Sequence, residues 1–246
     1  MKKRAQLGEK IIVALDVENK KEALSLVREL KDAQLFKVGM ELFTAEGPRL
    51  LEEIARLGKK VFLDLKYHDI PNTVAGAVRS ATRHRVHMLT LHSSGGKEML
   101  ARAAEAAAQE ALSYRIPRPY LLGVTVLTSL KEGELKDLGI SASVEGQVVR
   151  LASLAKEAGL DGVVSSPQEI EIIKKELGKD FLVVTPGIRP AWAATHDQKR
   201  VMRPAEAVAK GADYIVIGRP ITGASSPQET FLKIVREIEA LSSPAD

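Results

Sequence analysis

A single barrel of eight parallel strands, each followed by a helix, is the fold class the sequence predicts. Three observations carry it. Eight short runs rich in Val, Ile and Leu recur along the 246 residues, one about every 31 residues, the length of a βα unit in a parallel sheet. Each run is near-continuously apolar rather than alternating, as expected of strands covered on both faces. No Gly/Ser/Pro-rich linker and no low-complexity tract divides the chain. Residues 1–246 therefore read as one domain, close to the roughly 250 residues typical of such a barrel.

In order, the predicted strands are 11–16, 35–40, 61–66, 88–92, 120–127, 162–165, 181–185 and 214–218. Helical spacing fills the gaps, as at 20–31, 45–57 and 97–112. In the second of these, Leu50, Leu51, Ile54 and Leu57 form one apolar stripe, with Glu52, Glu53 and Arg56 off it. A doubly wound open sheet is the alternative. It asks for a glycine fingerprint after the first strand, whereas here Asp16-Val17-Glu18-Asn19 follows, without glycine. Two connections exceed the others, 128–144 after strand five and 187–203 after strand seven. Long loops at the C-terminal side of a barrel tend to be lids or binding loops.

Composition excludes several function classes. The chain has no cysteine, which removes disulfides, thiolate nucleophiles, thiolate zinc sites and iron–sulfur clusters, and agrees with a reducing compartment. The net charge is +4 and the sequence pI about 9.2, yet the charges are interspersed and aromatics are only 4%. That argues against a nucleic-acid partner and fits a mildly cationic surface that favours an anionic small molecule. Met1-Lys2-Lys3-Arg4 starts like a signal peptide, but polar residues follow and the apolar run 11–15 stops at Asp16. It is too short for a signal or a membrane span, so a cytoplasmic location without membrane contact is predicted.

The third strand carries the sharpest anomaly. It reads Val61-Phe62-Leu63-Asp64-Leu65-Lys66 and runs on into Tyr67-His68-Asp69-Ile70-Pro71-Asn72-Thr73. Side chains alternate with period two, so Asp64 and Lys66 share a face while Leu63 and Leu65 take the other. The apolar pair belongs under the helices, which turns Asp64 and Lys66 inward at the barrel mouth. Strand two carries Lys37 and strand one ends in Asp16. Ionised groups so placed are costly unless they neutralise one another or serve a ligand, and strand C-termini are where barrel enzymes collect catalytic groups. At the end of strand eight, Gly218 allows close backbone approach and Arg219 offers a planar fork suited to phosphate. Loops after strands seven and eight are the recurrent phosphate site of such barrels. His84 and His87 lack the carboxylate company of a metal site and read as surface or interface residues. His92 ends strand four and reads as a hydrogen-bonded residue behind the mouth.

The segment Asp64-x-Lys66-x-x-Asp69-Ile70-Pro71-Asn72-Thr73 resembles the signature of the orotidine 5′-phosphate decarboxylase family, and the resemblance extends over essentially the whole chain. Asp16 closes an Ala-Leu-Asp strand end, and Lys37 stands in Phe-Lys-Val-Gly. His92 precedes a Gly-Gly pair, and Thr128 follows Val-Thr-Val-Leu. Pro186-Gly187-Ile188-Arg189-Pro190 and Gly218-Arg219-Pro220-Ile221 fit as well. The bare Asp-x-Lys-x-x-Asp pattern is shared with related decarboxylases and aldolases of sugar phosphates. The Ile-Pro-Asn-Thr extension, Lys37 and the late Gly-Arg-Pro narrow the match.

The resemblance implies decarboxylation of orotidine 5′-phosphate to UMP and CO₂, without cofactor or metal. It implies that Lys66 is the proton donor, with Asp64, Asp69 and Lys37 in an alternating charged chain. Asp16, Lys37, Asp64, Thr73, Thr128, Arg189, Gln198, Gly218 and Arg219 are the implied substrate-binding residues, with the loop carrying Arg189 and Gln198 closing over the phosphate. It also implies a homodimer with shared sites, Asp69 and Thr73 reaching into the neighbour. The tract Ala191-Trp192-Ala193-Ala194-Thr195 lies outside the signature, and Trp192 and His196 gain no role from it. The nearest rival is a related Mg²⁺-dependent enzyme, but it carries a carboxylate where Lys37 stands. A non-catalytic phosphate-binding barrel is the other rival. It would keep Gly218-Arg219 but would have no need of Lys66 flanked by carboxylates.

Overall fold

The computed structural model describes residues 7–193 and 202–241. Eight parallel strands close on themselves in sequence order. They are β1 (Ile11–Ala14), β2 (Leu35–Gly39), β3 (Lys60–Tyr67), β4 (Met88–His92), β5 (Tyr120–Val124), β6 (Gly162–Val164), β7 (Leu182–Thr185) and β8 (Tyr214–Ile217). The last pairs with the first, Ile11 lying against Ile215. The fold is a (β/α)₈ barrel, as the strand count and the two-sided apolar runs predict.

Around the barrel lie α1 (Lys20–Glu29), α2 (Met40–Glu46), α3 (Arg49–Arg56), α4 (Pro71–Arg83), α5 (Lys97–Tyr114), α6 (Glu132–Asp137), α7 (Val144–Glu157), α8 (Ile170–Leu177), α9 (Pro204–Ala209), α10 (Arg219–Thr222) and α11 (Pro227–Leu241). Local chemistry starts several of them. The Asn19 side chain accepts the Glu22 N–H at 3.0 Å and Ser143 accepts Gly146 N–H at 3.1 Å, each satisfying an orphan donor of a first turn. Pro71 and Pro204 open α4 and α9, where a missing N–H costs nothing.

Most predicted ends shift by a residue or two, and the larger departures are these. β1 ends at Ala14 and β5 at Val124, short of residues 16 and 127. One further ladder bond follows each end, Leu15 N–H to Lys37 O at 3.0 Å and Thr125 N–H to Val164 O at 3.2 Å, and Asp16, Leu127 and Thr128 are exposed. The predicted helix 45–57 is split into α2 and α3. Gly47 has φ +67 and caps Phe43, and Pro48 cannot continue the preceding hydrogen-bond ladder. The connection 128–144 holds α6, whose Glu134 carboxylate accepts the Lys131 N–H at 2.8 Å. In the connection 187–203, Ile188 bridges Met202, with Arg189 N–H to Met202 O at 3.0 Å and Met202 N–H to Gly187 O at 3.3 Å.

The strand faces divide the core in two. Ile12, Leu35, Phe62, Met88, Leu122, Val184 and Val216 fill the interior. Val13, Phe36, Val61, Leu63, Leu89, Leu91, Val163, Val183 and Ile217 point out to the helices. Two residues further along the inward face of β2, β3 and β4 come Lys37, Asp64 and Thr90. An apolar floor is thus roofed by polar side chains at the C-terminal mouth.

Candidate active site

The predicted charged residues converge. Lys37 Nζ lies 3.1 Å from Asp16 Oδ1 and 3.8 Å from Asp64 Oδ2, and Lys66 Nζ lies 2.9 Å from Asp64 Oδ1. The order is carboxylate, ammonium, carboxylate, ammonium, drawn from the ends of three consecutive strands. Asp64 and Lys37 are the most enclosed, each 13% exposed, against 25% for Lys66 and 54% for Asp16. Alternation lets each charge offset part of its neighbour's desolvation. Leu63 is buried and Leu65 packs on the outer cluster, as the period-two reading of β3 expects, although the strand register shifts between Leu63 and Tyr67.

This row separates two adjoining cavities of about 180 and 200 Å³, both lined by Lys37, Asp64 and Lys66. Asp16 and Met40 wall the first. Phe62, Val126, Thr128 and Pro186 wall the second, giving it one charged and one largely apolar side. A larger cavity, about 640 Å³, opens at the opposite end of the barrel, below Tyr120, Asp161 and Leu182. Asp161 there is paired with Arg118 at 2.8 Å and also accepts the Leu121 N–H, so this carboxylate is committed to structure.

The remaining predicted residues fall as follows. Thr128 lines the second cavity. Gly218 lies so close to strand one that a Cβ there would sit 3.1 Å from Asp16 Oδ2 and 3.3 Å from Ala14 Cβ. Arg219 begins α10 and is exposed, while Arg189 is buried in the stem of the loop after β7. Asp69 and Thr73 stand exposed before and within the first turn of α4. Asp69 Oδ1 accepts the Ile70 N–H at 2.6 Å, and among the described residues it makes no ion pair with Lys66. One chain therefore does not assemble the whole predicted quartet. Gln198 and His196 lie outside the described residues.

Sequence reasoning missed Thr90, which is fully buried. Its hydroxyl donates to Asp64 Oδ1 at 3.0 Å and accepts the Lys66 N–H at 2.9 Å. The signal was present, since Met88, Thr90 and His92 share the inward face of β4. His92 itself lies 3.2 Å from Ser94 Oγ through Nδ1, with its ring centroid 5.3 Å from that of His68. Burial, then the nearby His68 and Lys66, hold its imidazole below the usual histidine range. His84 Nδ1 is 3.3 Å from Glu52, and His87 packs edge-on against Tyr120. Among the described residues no group of three or more His, Asp or Glu side chains gathers as a metal site, and no helix is long and apolar enough to cross a membrane.

A closed parallel barrel with ammonium and carboxylate groups gathered at its C-terminal mouth defines a class: barrel enzymes that work by placing charge around a ligand. Comparison with known proteins narrows it. The family model described as "Orotidine 5'-phosphate decarboxylase / HUMPS family" matches residues 9–234, and the chain belongs to that family. It is 49% identical over 237 residues to the orotidine 5'-phosphate decarboxylase of Syntrophomonas wolfei, covering 95% of this chain and 99% of the relative. The protein of that name from Trichlorobacter lovleyi is 52% identical over 238 residues, covering 96% and 98%. The crystal structure of orotidine 5'-phosphate decarboxylase from Lactobacillus acidophilus matches with a TM-score of 0.83 at 36% identity, covering 94% of this chain and 99% of that one.

Proposed function

We propose that the protein decarboxylates orotidine 5′-phosphate to UMP and CO₂, the last step of UMP biosynthesis, using the charged row at the barrel mouth. The observation that carries the reading is the sequence Asp16, Lys37, Asp64, Lys66, joined at 3.1, 3.8 and 2.9 Å beside a cavity with an apolar far wall. When the bond from C6 to the carboxylate breaks, its electron pair stays on C6 in an sp² orbital, poorly delocalised into the ring. The Lys66 ammonium stabilises that developing charge and then gives C6 a proton, leaving an amine that solvent reprotonates. Asp64 holds the ammonium from one side, and a preorganised group needs no reorientation during the reaction. Lys37 and Asp16 are placed to meet ribose hydroxyls. Val126 and Pro186 offer an apolar surface to the base.

Phosphate binding falls to Gly218 and Arg219, with Arg189 and Gln198 from the loop after β7 and Thr128 across the mouth. Energy gained at the phosphate, remote from C6, can be spent on closing the site. Asp69 and Thr73 complete the neighbour's site in a homodimer. Their exposed position at the start of α4, away from their own chain's Lys66, supports this assignment. The reaction needs neither metal nor organic cofactor, and the proposed location is the cytoplasm.

The test is the absorbance change on consumption of orotidine 5′-phosphate in the presence of EDTA. Turnover is the expected result. Absence of turnover without EDTA would refute the activity, and loss of turnover on adding EDTA would refute the metal-free mechanism.

A further inference from the structure

We infer that Thr90 is a positioning residue for Lys66, an inference that rests on Lys66 being the proton donor. The case begins with the backbone. Lys66 has φ +51, a left-handed conformation that residues other than glycine rarely adopt, and it does so at the end of a strand. The register between β3 and β4 is interrupted at the same place. Leu63 pairs with Leu89 and the next pairing is Tyr67 with Leu91, so Asp64, Leu65 and Lys66 stand against Thr90 alone. The surplus residues form a bulge, a device that re-aims side chains at barrel rims and beside active sites.

A bulge removes backbone groups from the ladder, and Thr90 takes up one of them. Its Oγ1 accepts the Lys66 N–H at 2.9 Å and donates to Asp64 Oδ1 at 3.0 Å. An ionised carboxylate is an acceptor only, so the hydroxyl proton must face Asp64 and a lone pair must face Lys66. The hydroxyl thus has one orientation, and it is fully buried. Asp64 Oδ1 is also the oxygen met by Lys66 Nζ at 2.9 Å. One neutral side chain therefore fixes both ends of the Lys66 lever: the backbone from which it starts and the carboxylate against which its ammonium rests. Without the hydroxyl, the Lys66 N–H loses its partner inside the barrel mouth. The left-handed turn is then no longer held, and the Lys66 side chain loses its fixed place against Asp64 Oδ1.

Thr90→Val keeps the shape and removes the hydroxyl. Displacing a reacting group by about 1 Å costs on the order of 100-fold, so kcat should fall by that factor. KM should change by less than roughly threefold, because the proposed ligand-binding side chains of Lys37 and Arg219 are left in place. Thr90→Ser retains the hydroxyl and should restore kcat to within about threefold of wild type by the same reasoning. Thermal unfolding and UMP binding report that each variant is folded. If Thr90→Val does not fold, Thr90→Ala carries the same test. A Thr90→Val enzyme with wild-type kcat overturns the inference. So does a Thr90→Ser enzyme as impaired as Thr90→Val, or failure of both hydroxyl-free variants to fold, since the role would then be packing. Lys66→Ala measured alongside separates the two assignments. An inactive Lys66→Ala beside a fully active Thr90→Val removes only the role of Thr90, whereas an active Lys66→Ala removes the proton donor and this inference with it.

Discussion

Asp69 offers the most discriminating experiment. Its carboxylate is exposed, bonds the Ile70 N–H of its own chain at 2.6 Å and does not pair with its own Lys66. If it serves a neighbour's Lys66, each site draws one residue from each chain. An Asp69→Ala homodimer and a Lys66→Ala homodimer then both lack an intact site. Each should lose more than tenfold in kcat, a barrier increase above about 1.4 kcal/mol. Mixing the two segregates the defects. In a twofold-symmetric heterodimer one site carries both substitutions and the other carries neither. Random exchange makes about half of the dimers mixed, each with one good site of two, so roughly a quarter of wild-type activity should return. The assay is decarboxylation before and after exchange, with differently tagged chains purified in tandem to verify that heterodimers exist. Purified heterodimers without activity would refute the shared site and return Asp69 to its own barrel.

Three further outcomes are expected. Arg219→Ala should chiefly weaken phosphorylated ligands, since an arginine–phosphate pair is charge-assisted and often bidentate; a variant that still discriminates against the unphosphorylated nucleoside as strongly as wild type would remove Arg219 from the phosphate site. Gly162→Ala should destabilise the barrel, because a Cβ there would overlap the Leu182 carbonyl oxygen and lie 2.8 Å from its carbonyl carbon. Overpacking of this kind costs about 1–3 kcal/mol, and a melt should register roughly 2–4 °C per kcal/mol; an unchanged Tm would show that the strands part freely. Burial holds His87 and His92 below their ordinary value of 6.5, with Lys60 adding to the effect on His87, and His68 and Lys66 to that on His92. The unfolded chain therefore takes up protons first as pH falls through 6.5, and stability present above that pH is lost until the lower folded values are passed. A His87→Asn, His92→Gln double variant should flatten the decline of Tm below pH 6.5; an unaltered slope would assign the decline to other groups.

The barrel was legible because strands covered on both faces leave continuous apolar runs, and the row Asp16, Lys37, Asp64, Lys66 because charge interrupts those runs. Strand ends were less legible, since the β-favouring run through Val126 and Leu127 outlasts the assigned strand, which ends at Val124. The break at Gly47-Pro48 was written in the sequence, but the apolar stripe beyond it obscured it. Thr90 was hidden by being ordinary, because threonine is a good strand former and only the site around it makes its hydroxyl matter. The left-handed turn at Lys66 was not legible, because nothing in a lysine announces positive φ. Nor does the sequence mark Trp192, whose ring lies 4.4 Å from the Lys233 ammonium.

The pairing of β8 with β1 sets an order of events during synthesis. Asp16, Lys37, Asp64 and Lys66 leave the ribosome early, on strands that are neighbours in sequence and can pair locally. The edge of β1 that faces Ile215, Val216 and Ile217 stays open until nearly the whole chain has been made. A nascent chain thus carries an uncovered strand edge for most of its elongation, and open edges invite pairing with other chains. Pairing of Ile215, Val216 and Ile217 with β1 ends the exposure, and Gly218, next in the chain, then lies close beside Asp16. Sealing the wall and juxtaposing the two halves of the mouth are one event, so a chain released before β8 would be without a finished site and aggregation-prone.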